Sequence, residues 1–248
     1  HTRVLLAVRF LYLFKMKYLG SKNRISKHIL PILLAYRGNR TWVEPFVGGA
    51  NMIDKVDGSR IGSDLNEYVI SLLNQMSQPN YEAPEISEEK YNDIKKYPDQ
   101  YPRWVVGYAG TQLSFGSTWF GSYRRDREGK RNYSKEAQTN VNTQAKKIQG
   151  VVFLNKNYLD LEIPENSFIY CAPPYNTKAT IGKYKDGFNH SEFWQWCRDK
   201  SNEGHVIIVS EYSAPDDFSC IWEMEINQRM NNAANTSKTH ERLFSYCQ

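Results

Sequence analysis

Cysteine is scarce in this chain of 248 residues, and its spacing shows no covalent or metal-bound framework. The four cysteines, at positions 171, 197, 220 and 247, include no CxxC pair, so we expect neither a disulfide scaffold nor a structural zinc site. The five histidines are scattered as well, and no metal is predicted. A reducing cytoplasm is the compartment that fits this usage.

Long apolar runs are absent beyond the first residues, which excludes a predicted membrane-spanning helix. Residues 1–15 (HTRVLLAVRFLYLFK) are basic and apolar, but Arg9 interrupts a run that is too short to cross a bilayer. No small-residue cleavage site follows, as a signal peptide would require, and Met16 comes directly afterwards. We expect this segment to be a tag remnant or an upstream extension; a genuine extension of the protein is the alternative.

Acidic residues are missing from positions 1–40, where nine basic side chains lie. A second basic block at 101–150 has nine basic and three acidic residues, whereas 41–100 and 151–248 are net acidic. The overall net charge is +5. This uneven distribution indicates a surface that binds a polyanion, although ordinary surface charge would explain it too.

Alternating strand and helix patterns predict an α/β protein with a Rossmann-like sheet. Strands are predicted within 41–43, 59–66, 150–161, 166–175, 205–212, 222–228 and 241–246. Helices are predicted over 23–37, with a kink or break at Pro31, and over 67–76 and 190–200. Phe193 and Trp196 are spaced to share one buried helix face. A basic region at 73–150, with a candidate hairpin or binding loop at 123–133, interrupts the core pattern.

Three short motifs contain the candidate ligand-binding residues. In EPFVGGAN, Phe46, Gly48 and Gly49 follow the first strand, where glycines allow a ligand to approach the backbone at a helix start. Asp64 ends the next strand and could accept hydrogen bonds from ribose hydroxyls, or could cap the following helix. Glycines that serve turn geometry only are the alternative.

The other two motifs are Pro173-Pro174-Tyr175 and KYLGSK at 17–22. Two prolines after an apolar strand would present Tyr175 rigidly at the carboxyl edge of the sheet, where its ring could stack on a planar base. A proline-rich turn is the alternative. Tyr18 and Lys22 could cover and neutralise a ligand, or could belong to a basic turn before a helix.

The order and spacing of these motifs resemble the adenine-specific DNA methyltransferases of the DNA adenine methyltransferase family, over roughly residues 16–246. The resemblance implies methyl transfer from S-adenosylmethionine to the exocyclic nitrogen of adenine. It also implies a catalytic domain over 16–72 and 151–248, with a helical and β-hairpin DNA target-recognition insert at 73–150. The closing strands end in the family's E-x-L pattern, here Glu241 and Leu243.

The resemblance assigns roles to particular residues. Those implied to bind the cofactor are Tyr18, Gly20, Lys22, Glu44, Phe46, Gly48, Gly49, Asp64 and, by a looser match, Asn157 and Tyr158. The implied catalytic tetrapeptide is Ala172, Pro173, Pro174 and Tyr175. The implied DNA contacts are Trp119, Tyr123, Arg124, Arg125, Arg127, Lys130 and Arg131. Phe120 is a further candidate wedge beside a flipped base, and a solvated hairpin over an aromatic cluster is the alternative.

Ala172 departs from the family, which has Asp, Asn or Ser at this position of the tetrapeptide. Alanine provides no acceptor for the target amine, so we expect strongly impaired turnover. The alanine is either an engineered substitution or the mark of a naturally inactive relative. A catalytically dead DNA-binding protein and a methyltransferase of RNA, or of a protein side-chain amide, are the alternative functions. The expected partner is double-stranded DNA in a bacterial or phage-infected cell, without a membrane and with a restriction enzyme as a possible companion.

Overall fold

The computed structural model describes residues 16–126, 128–175, 187–229 and 236–246. The predicted tag or upstream extension at 1–15 lies outside these residues. Among the described residues, no helix is both long and apolar enough to cross a membrane.

A mixed sheet forms the centre of the molecule, and its seven described strands have the order β3-β2-β1-β4-β5-β7-β6. The strands are β1 (Trp42–Glu44), β2 (Arg60–Ser63), β3 (Val152–Leu154), β4 (Phe168–Cys171), β5 (Val206–Glu211), β6 (Phe218–Arg229) and β7 (Thr236–Tyr246). Strands β1 to β5 are parallel to one another, whereas β7 is antiparallel to both β5 and β6. This confirms the predicted α/β class with a Rossmann-like sheet.

Helices cover the sheet and fill the middle of the chain. Those described are α1 (Ser26–Arg37), α2 (Glu67–Met76), α3 (Glu88–Lys96), α4 (Arg103–Gln112), α5 (Tyr133–Ala145) and α6 (His190–Asn202). Short 3₁₀ turns are present at Lys22–Arg24, Ile53–Lys55, Pro98–Gln100, Phe115–Ser117 and Tyr158–Asp160. Asparagine or serine side chains cap the amino ends of α2, α3, α5 and α6, as their position before each helix favours.

Local patterns predicted the strands and three of the helices, with differences at α1 and β3. Helix α1 continues through Pro31 instead of breaking there, at the cost of one backbone hydrogen bond. The strand predicted over 150–161 ends at Leu154, and the Ser63 hydroxyl lies within hydrogen-bond distance of the Leu154 and Lys156 carbonyl oxygens there. Phe193 and Trp196 are both buried on α6, as predicted.

The sheet changes direction between β1 and β4. The chain runs outward from β1 through β2 to β3, then returns to place β4 on the other side of β1. Trp42 of β1 pairs with Phe168 of β4 in parallel register. Open α/β sheets bind ligands at the carboxyl ends of the strands at such a switch point. The segments after Glu44 and after Cys171 therefore meet at the edge where a site is expected.

The polar region between α2 and β3 is mostly helical and shares one hydrophobic cluster with the sheet, which contains Tyr108 of α4 and Trp42 of β1. Helix α4 approaches α2 so closely that a Cβ on Gly107 would lie 2.3 Å from the Tyr68 carbonyl oxygen. Residues 103–112, for which the sequence patterns predicted no element, form a largely buried helix.

Of the two forms predicted for 123–133, a hairpin or a binding loop, the described residues form a loop that contains a turn. The Asp126 carboxylate accepts hydrogen bonds from the backbone amides of Glu128, at 3.0 Å, and Arg131, at 2.8 Å. These side-chain bonds satisfy the amides that a strand ladder would use, so a turn forms instead. A single antiparallel bridge between Ser114 and Tyr123 is the only pairing described here outside the main sheet.

Candidate active site

A glycine turn follows β1 and is covered by Tyr18. Gly48 has a φ of 47°, which favours glycine. A Cβ on Gly48 would lie 2.7 Å from Tyr18 Cε1, and a Cβ on Gly49 would lie 2.6 Å from Tyr18 Cβ. Both glycines are therefore required by the close approach of this ring, and the predicted residues of the EPFVGGAN and KYLGSK motifs are in direct contact. Gly20, with a φ of 80°, lies in the exposed turn after Tyr18.

Asp64 joins the glycine turn to the end of β2. Its Oδ2 accepts a hydrogen bond from the Gly48 amide at 3.0 Å, and its Oδ1 accepts one from the Asn66 amide at 3.0 Å. Burial raises the pKa of Asp64, and the amide donors oppose that rise. The alternative role as helix cap belongs to Asn66, whose side chain accepts from the Val69 amide. Asp64 is therefore available beside the glycine turn.

Two buried glutamines of the polar region hold these motifs in place, and the sequence reasoning did not find them. Gln144 of α5 donates to the carbonyl oxygens of Gly49, at 3.0 Å, and Ala50, at 3.1 Å, and accepts from the Met16 amide at 2.9 Å. Gln112 of α4 exchanges two hydrogen bonds with the backbone of Lys17. Because glutamine is common in polar helices, nothing local in the sequence distinguishes these two.

The Pro-Pro-Tyr segment follows β4 and ends in a cluster of polar side chains. The Tyr175 hydroxyl donates to Glu241 Oε1 of β7 and lies 2.9 Å from Ser210 Oγ of β5. The Lys22 ammonium donates to the same Glu241 oxygen at 2.7 Å and to the Tyr175 hydroxyl, and lies 3.8 Å from the centre of the tyrosine ring. Lys22 and Tyr175, both predicted, are thus neighbours.

Burial shifts the pKa values of Lys22 and Tyr175 in this cluster. Burial lowers the pKa of Lys22, although Glu241 opposes that change. Burial and the nearby Glu241 carboxylate raise the pKa of Tyr175 well above its usual range. The phenol therefore keeps its proton at neutral pH and acts as a hydrogen-bond donor to Glu241.

Glu44, a predicted cofactor residue, is buried at the end of β1. Its Oε1 accepts a hydrogen bond from the Trp42 indole at 2.8 Å. Burial raises the pKa of Glu44 to about 8, opposed by the Trp42 bond, while the nearby Asp54 carboxylate raises it further. The side chain supports the strand from inside the protein.

Aromatic rings line the other side of the glycine turn. Phe46 lies 5.3 Å from the ring centre of Tyr158 and 5.7 Å from that of Phe188. Asn157 caps the 3₁₀ turn that contains Tyr158, by accepting from the Leu159 amide. The predicted residues Phe46 and Tyr158 are therefore brought together, and Phe188, which had not been predicted, joins them. Such rings can pack against a flat heterocycle.

The predicted catalytic tetrapeptide begins at the carboxyl end of β4. Ala172 and Pro174 are half-buried and Pro173 is buried. The Ala172 side chain has no polar atom, so acceptors at this position come only from the backbone. Among the described residues, no group of three or more acidic, histidine or cysteine side chains could hold a metal ion.

Four of the predicted DNA-contact residues in the basic region pair with acids or aromatic rings. Arg131 makes two hydrogen bonds with Glu136, at 2.8 and 2.9 Å, and Lys130 pairs with Glu128 at 2.6 Å. Arg125 pairs with Glu88. The Arg124 guanidinium lies 4.3 Å from the centre of the Tyr133 ring, and Arg127 lies outside the described residues. Since most of these pairs are exposed, a phosphate could replace the acid with little loss.

The aromatic residues of this region differ in exposure. Trp119 is 43% exposed and rests on Tyr68 at 5.2 Å. The Tyr123 hydroxyl donates to the Ile86 carbonyl at 3.0 Å. Phe120 is buried against Tyr91, which removes it as a candidate wedge. Phe115, which had not been predicted, is 71% exposed in the same loop.

Comparison with known proteins shows two similarities. Residues 18–104 match the model of the D12 class N6 adenine-specific DNA methyltransferases. Over these residues the chain is similar to the adenine-specific DNA methyltransferases. The matched residues include Tyr18, Lys22, the glycine turn and Asp64. Such enzymes generally take the methyl group from S-adenosylmethionine.

One curated protein is similar to this chain over a longer range. The type II methyltransferase M.FokI of Planomicrobium okeanokoites is 21% identical over 206 residues, which is 72% of this chain and 31% of the relative. The chain therefore spans about a third of the length of that relative.

Proposed function

We propose that this protein transfers a methyl group from S-adenosylmethionine to the exocyclic amino nitrogen of a flipped-out adenine in double-stranded DNA. The observation that carries the proposal is the adjacency of the glycine turn after β1 and the Pro-Pro-Tyr segment after β4, at the switch point of the sheet. This arrangement would place a cofactor site and a base site side by side. The family match supports the same chemistry.

The residues around the glycine turn fit the cofactor. A carboxylate has about four lone-pair positions, so Asp64 can accept from ribose hydroxyls while it keeps its two backbone donors. Phe46 and Tyr158 would pack against the adenine ring, with Asn157 beside them, and Tyr18 and Lys22 would contact the amino-acid end. Gly20 and Glu44 would support these contacts from their turn and strand. The bound cofactor supplies the methyl group.

The residues after β4 would hold the target base. Tyr175 would stack on the adenine once it leaves the duplex, and a proline carbonyl would accept a hydrogen bond from its amino group. The exposed basic region, with Trp119 and Tyr123 nearby, would bind the phosphates and occupy the duplex beside the flipped base. In this proposal the predicted catalytic domain, 16–72 and 151–248, binds the cofactor and the target base. The predicted insert, 73–150, binds the DNA around that base.

Ala172 would weaken the chemical step. A side-chain acceptor at this position would hold the amino group in the transition state, and losing a charge-assisted hydrogen bond costs about 1.5–3 kcal/mol. That cost corresponds to a rate loss of roughly tenfold to over a hundredfold. We propose that the chain with Ala172 binds DNA and cofactor but turns over slowly.

The test is methyl transfer from labelled S-adenosylmethionine to mixed-sequence duplex DNA by the chain and by its Ala172→Asp variant. We expect activity in the variant at least tenfold above that of the parent, with labelled N6-methyladenine after digestion of the DNA. Ala172→Val, which adds bulk without an acceptor, is the matched control and should stay at the parent level.

Other outcomes would select another function. Salt-dependent DNA binding without transfer by either protein would indicate a catalytically inactive DNA-binding protein, which Ala172 itself favours. Transfer to RNA in preference to DNA would indicate an RNA methyltransferase. Because the similar M.FokI is a type II methyltransferase, we further propose that a companion restriction enzyme recognises the same sequence. Growth of the host with that enzyme only when the active methyltransferase is present would test this.

A further inference from the structure

Glu241 is the centre of a buried polar cluster in which side chains from distant elements meet. It lies on β7 and is only 3% exposed. Its Oε1 accepts from Lys22 Nζ at 2.7 Å, from Ser210 Oγ at 2.8 Å, and from the Tyr175 hydroxyl. These donors come from the segment before α1, from β5 and from the segment after β4. One carboxylate oxygen therefore connects the segment that contains Lys22 with the Pro-Pro-Tyr segment after β4.

The charge of Glu241 matters because the cluster is buried. The Lys22 side chain is 13% exposed, and removing an ammonium group from water is unfavourable unless a negative charge compensates it. Glu241 provides that charge by direct contact, and Glu211, itself buried, adds to the field at Lys22. A neutral residue at 241 would keep the shape of the site but leave this ammonium without its direct ionic partner.

The bonds also restrict the orientation of Tyr175. The backbone of Ala172–Tyr175 forms no strand or helix, so regular structure does not hold the ring. Glu241 and Ser210 hold the Tyr175 hydroxyl by hydrogen bonds. The Lys22 ammonium lies 3.8 Å from the centre of the ring, and the Tyr212 ring packs against it in a T-shaped arrangement with 4.6 Å between ring centres. A ring that must hold a planar base during the reaction favours the chemical step when its orientation is set in advance.

We propose that Glu241 is a positioning residue for methyl transfer, which acts by holding Tyr175 and Lys22 in the orientation that the target base and cofactor require. This inference rests on the proposed function and adds to it a residue that touches neither ligand. Replacing the carboxylate should therefore change the chemical step through Tyr175 and leave DNA binding almost unchanged.

The experiment compares Glu241→Gln with the parent in the Ala172→Asp background. We expect kcat to fall about tenfold or more, whereas KM for DNA changes by less than about twofold. Tyr175→Phe, which removes only the hydroxyl, should lower kcat as well, and adding Glu241→Gln to it should have a much smaller further effect. Glu223→Gln on β6, which removes a carboxylate from an exposed pair with Arg242, is the matched control and should behave as the parent.

A second readout does not depend on methyl transfer. Tyrosines are replaced biosynthetically by 3-fluorotyrosine, and the ¹⁹F resonance of Tyr175 is identified by its loss in Tyr175→Phe. Glu241→Gln should broaden or split that resonance, and Glu223→Gln should not. If the Glu241 variant folds poorly, Ser210→Ala, which removes one donor from the same oxygen, should give a weaker change of the same kind.

The outcomes separate this inference from the proposed function. A parent that transfers no methyl to DNA, with the fluorine signal still sensitive to Glu241, overturns the function and leaves the positioning of Tyr175 supported. An unchanged sharp resonance in a folded Glu241→Gln protein overturns the inference. The inference is also overturned if Glu241→Gln lowers kcat by the same factor with and without Tyr175→Phe.

Discussion

Glu44→Gln should make the protein more stable at alkaline pH. Burial raises the pKa of Glu44 from an ordinary value of 4.5 to about 8. Between these two pH values the folded protein keeps the proton while the unfolded chain has lost it. Unfolding then releases a proton, so this group's contribution to the free energy of unfolding decreases as pH rises through the window and is smallest above pH 8.

The magnitude follows from the size of the pKa difference. Each unit of pKa corresponds to about 1.4 kcal/mol, so the ionised Glu44 would destabilise the folded protein by roughly 4 kcal/mol at pH 8. Glutamine cannot ionise, and its Oε1 can still accept the hydrogen bond that Trp42 donates to Glu44. We therefore expect the variant to equal the parent near pH 5 and to exceed it by up to this amount at pH 8.

The measurement is urea unfolding followed by circular dichroism at pH 5, 6, 7 and 8, with the slope m compared between proteins to check two-state behaviour. Glu162→Gln, at a side chain that is 93% exposed, controls for the loss of a surface charge and should follow the parent. Parallel pH profiles for the parent and Glu44→Gln would refute the reasoning, since they would show that this carboxyl is not the group that stays protonated.

Two further predictions concern ligand binding. Asp64→Asn should weaken S-adenosylmethionine binding about 10- to 150-fold in isothermal titration, because a charge-assisted acceptor is lost. The control Asp160→Asn, at an exposed position, should bind the cofactor as the parent does. Equal affinities of the parent and Asp64→Asn would remove Asp64 from the cofactor site. Arg131→Ala should reduce the slope of log affinity against log salt for duplex DNA by about 0.9, as expected for one lost phosphate contact, whereas Lys200→Ala on α6 should leave the slope unchanged. An unchanged slope for Arg131→Ala would exclude that contact.

The glycine turn and Asp64 illustrate what local sequence can predict about a ligand site. Glycines after a strand and an acid at the end of the next strand predict a ligand edge, because parallel strands bring their carboxyl ends together. The structure places Gly48 and Asp64 in direct hydrogen-bond contact. The role of Asp64 as helix cap was equally compatible with the sequence, and only the structure shows that Asn66 caps this helix instead.

The basic region shows where local reasoning was insufficient. A basic stretch with a Glu-Gly turn is compatible with a hairpin or with a binding loop, and the hydrogen bonds from the Glu128 and Arg131 amides to Asp126 favour the loop. Phe120 and Trp119 are adjacent in the sequence, but one is buried and the other is partly exposed. Which aromatic faces solvent depends on the helices below the loop, and sequence periodicity does not record that packing.

The sequence by itself determined the α/β class, the order of the motifs and the identity of most residues at the switch point, because these depend on hydrophobic period, glycine and proline geometry and the nature of each side chain. Only the tertiary structure decided which distant groups share a proton or a charge. Lys22 and Glu241 are separated by 219 positions, and Gln144 reaches Gly49 across 95. Strand pairing and helix packing set such contacts over the whole chain, so no local pattern specifies them.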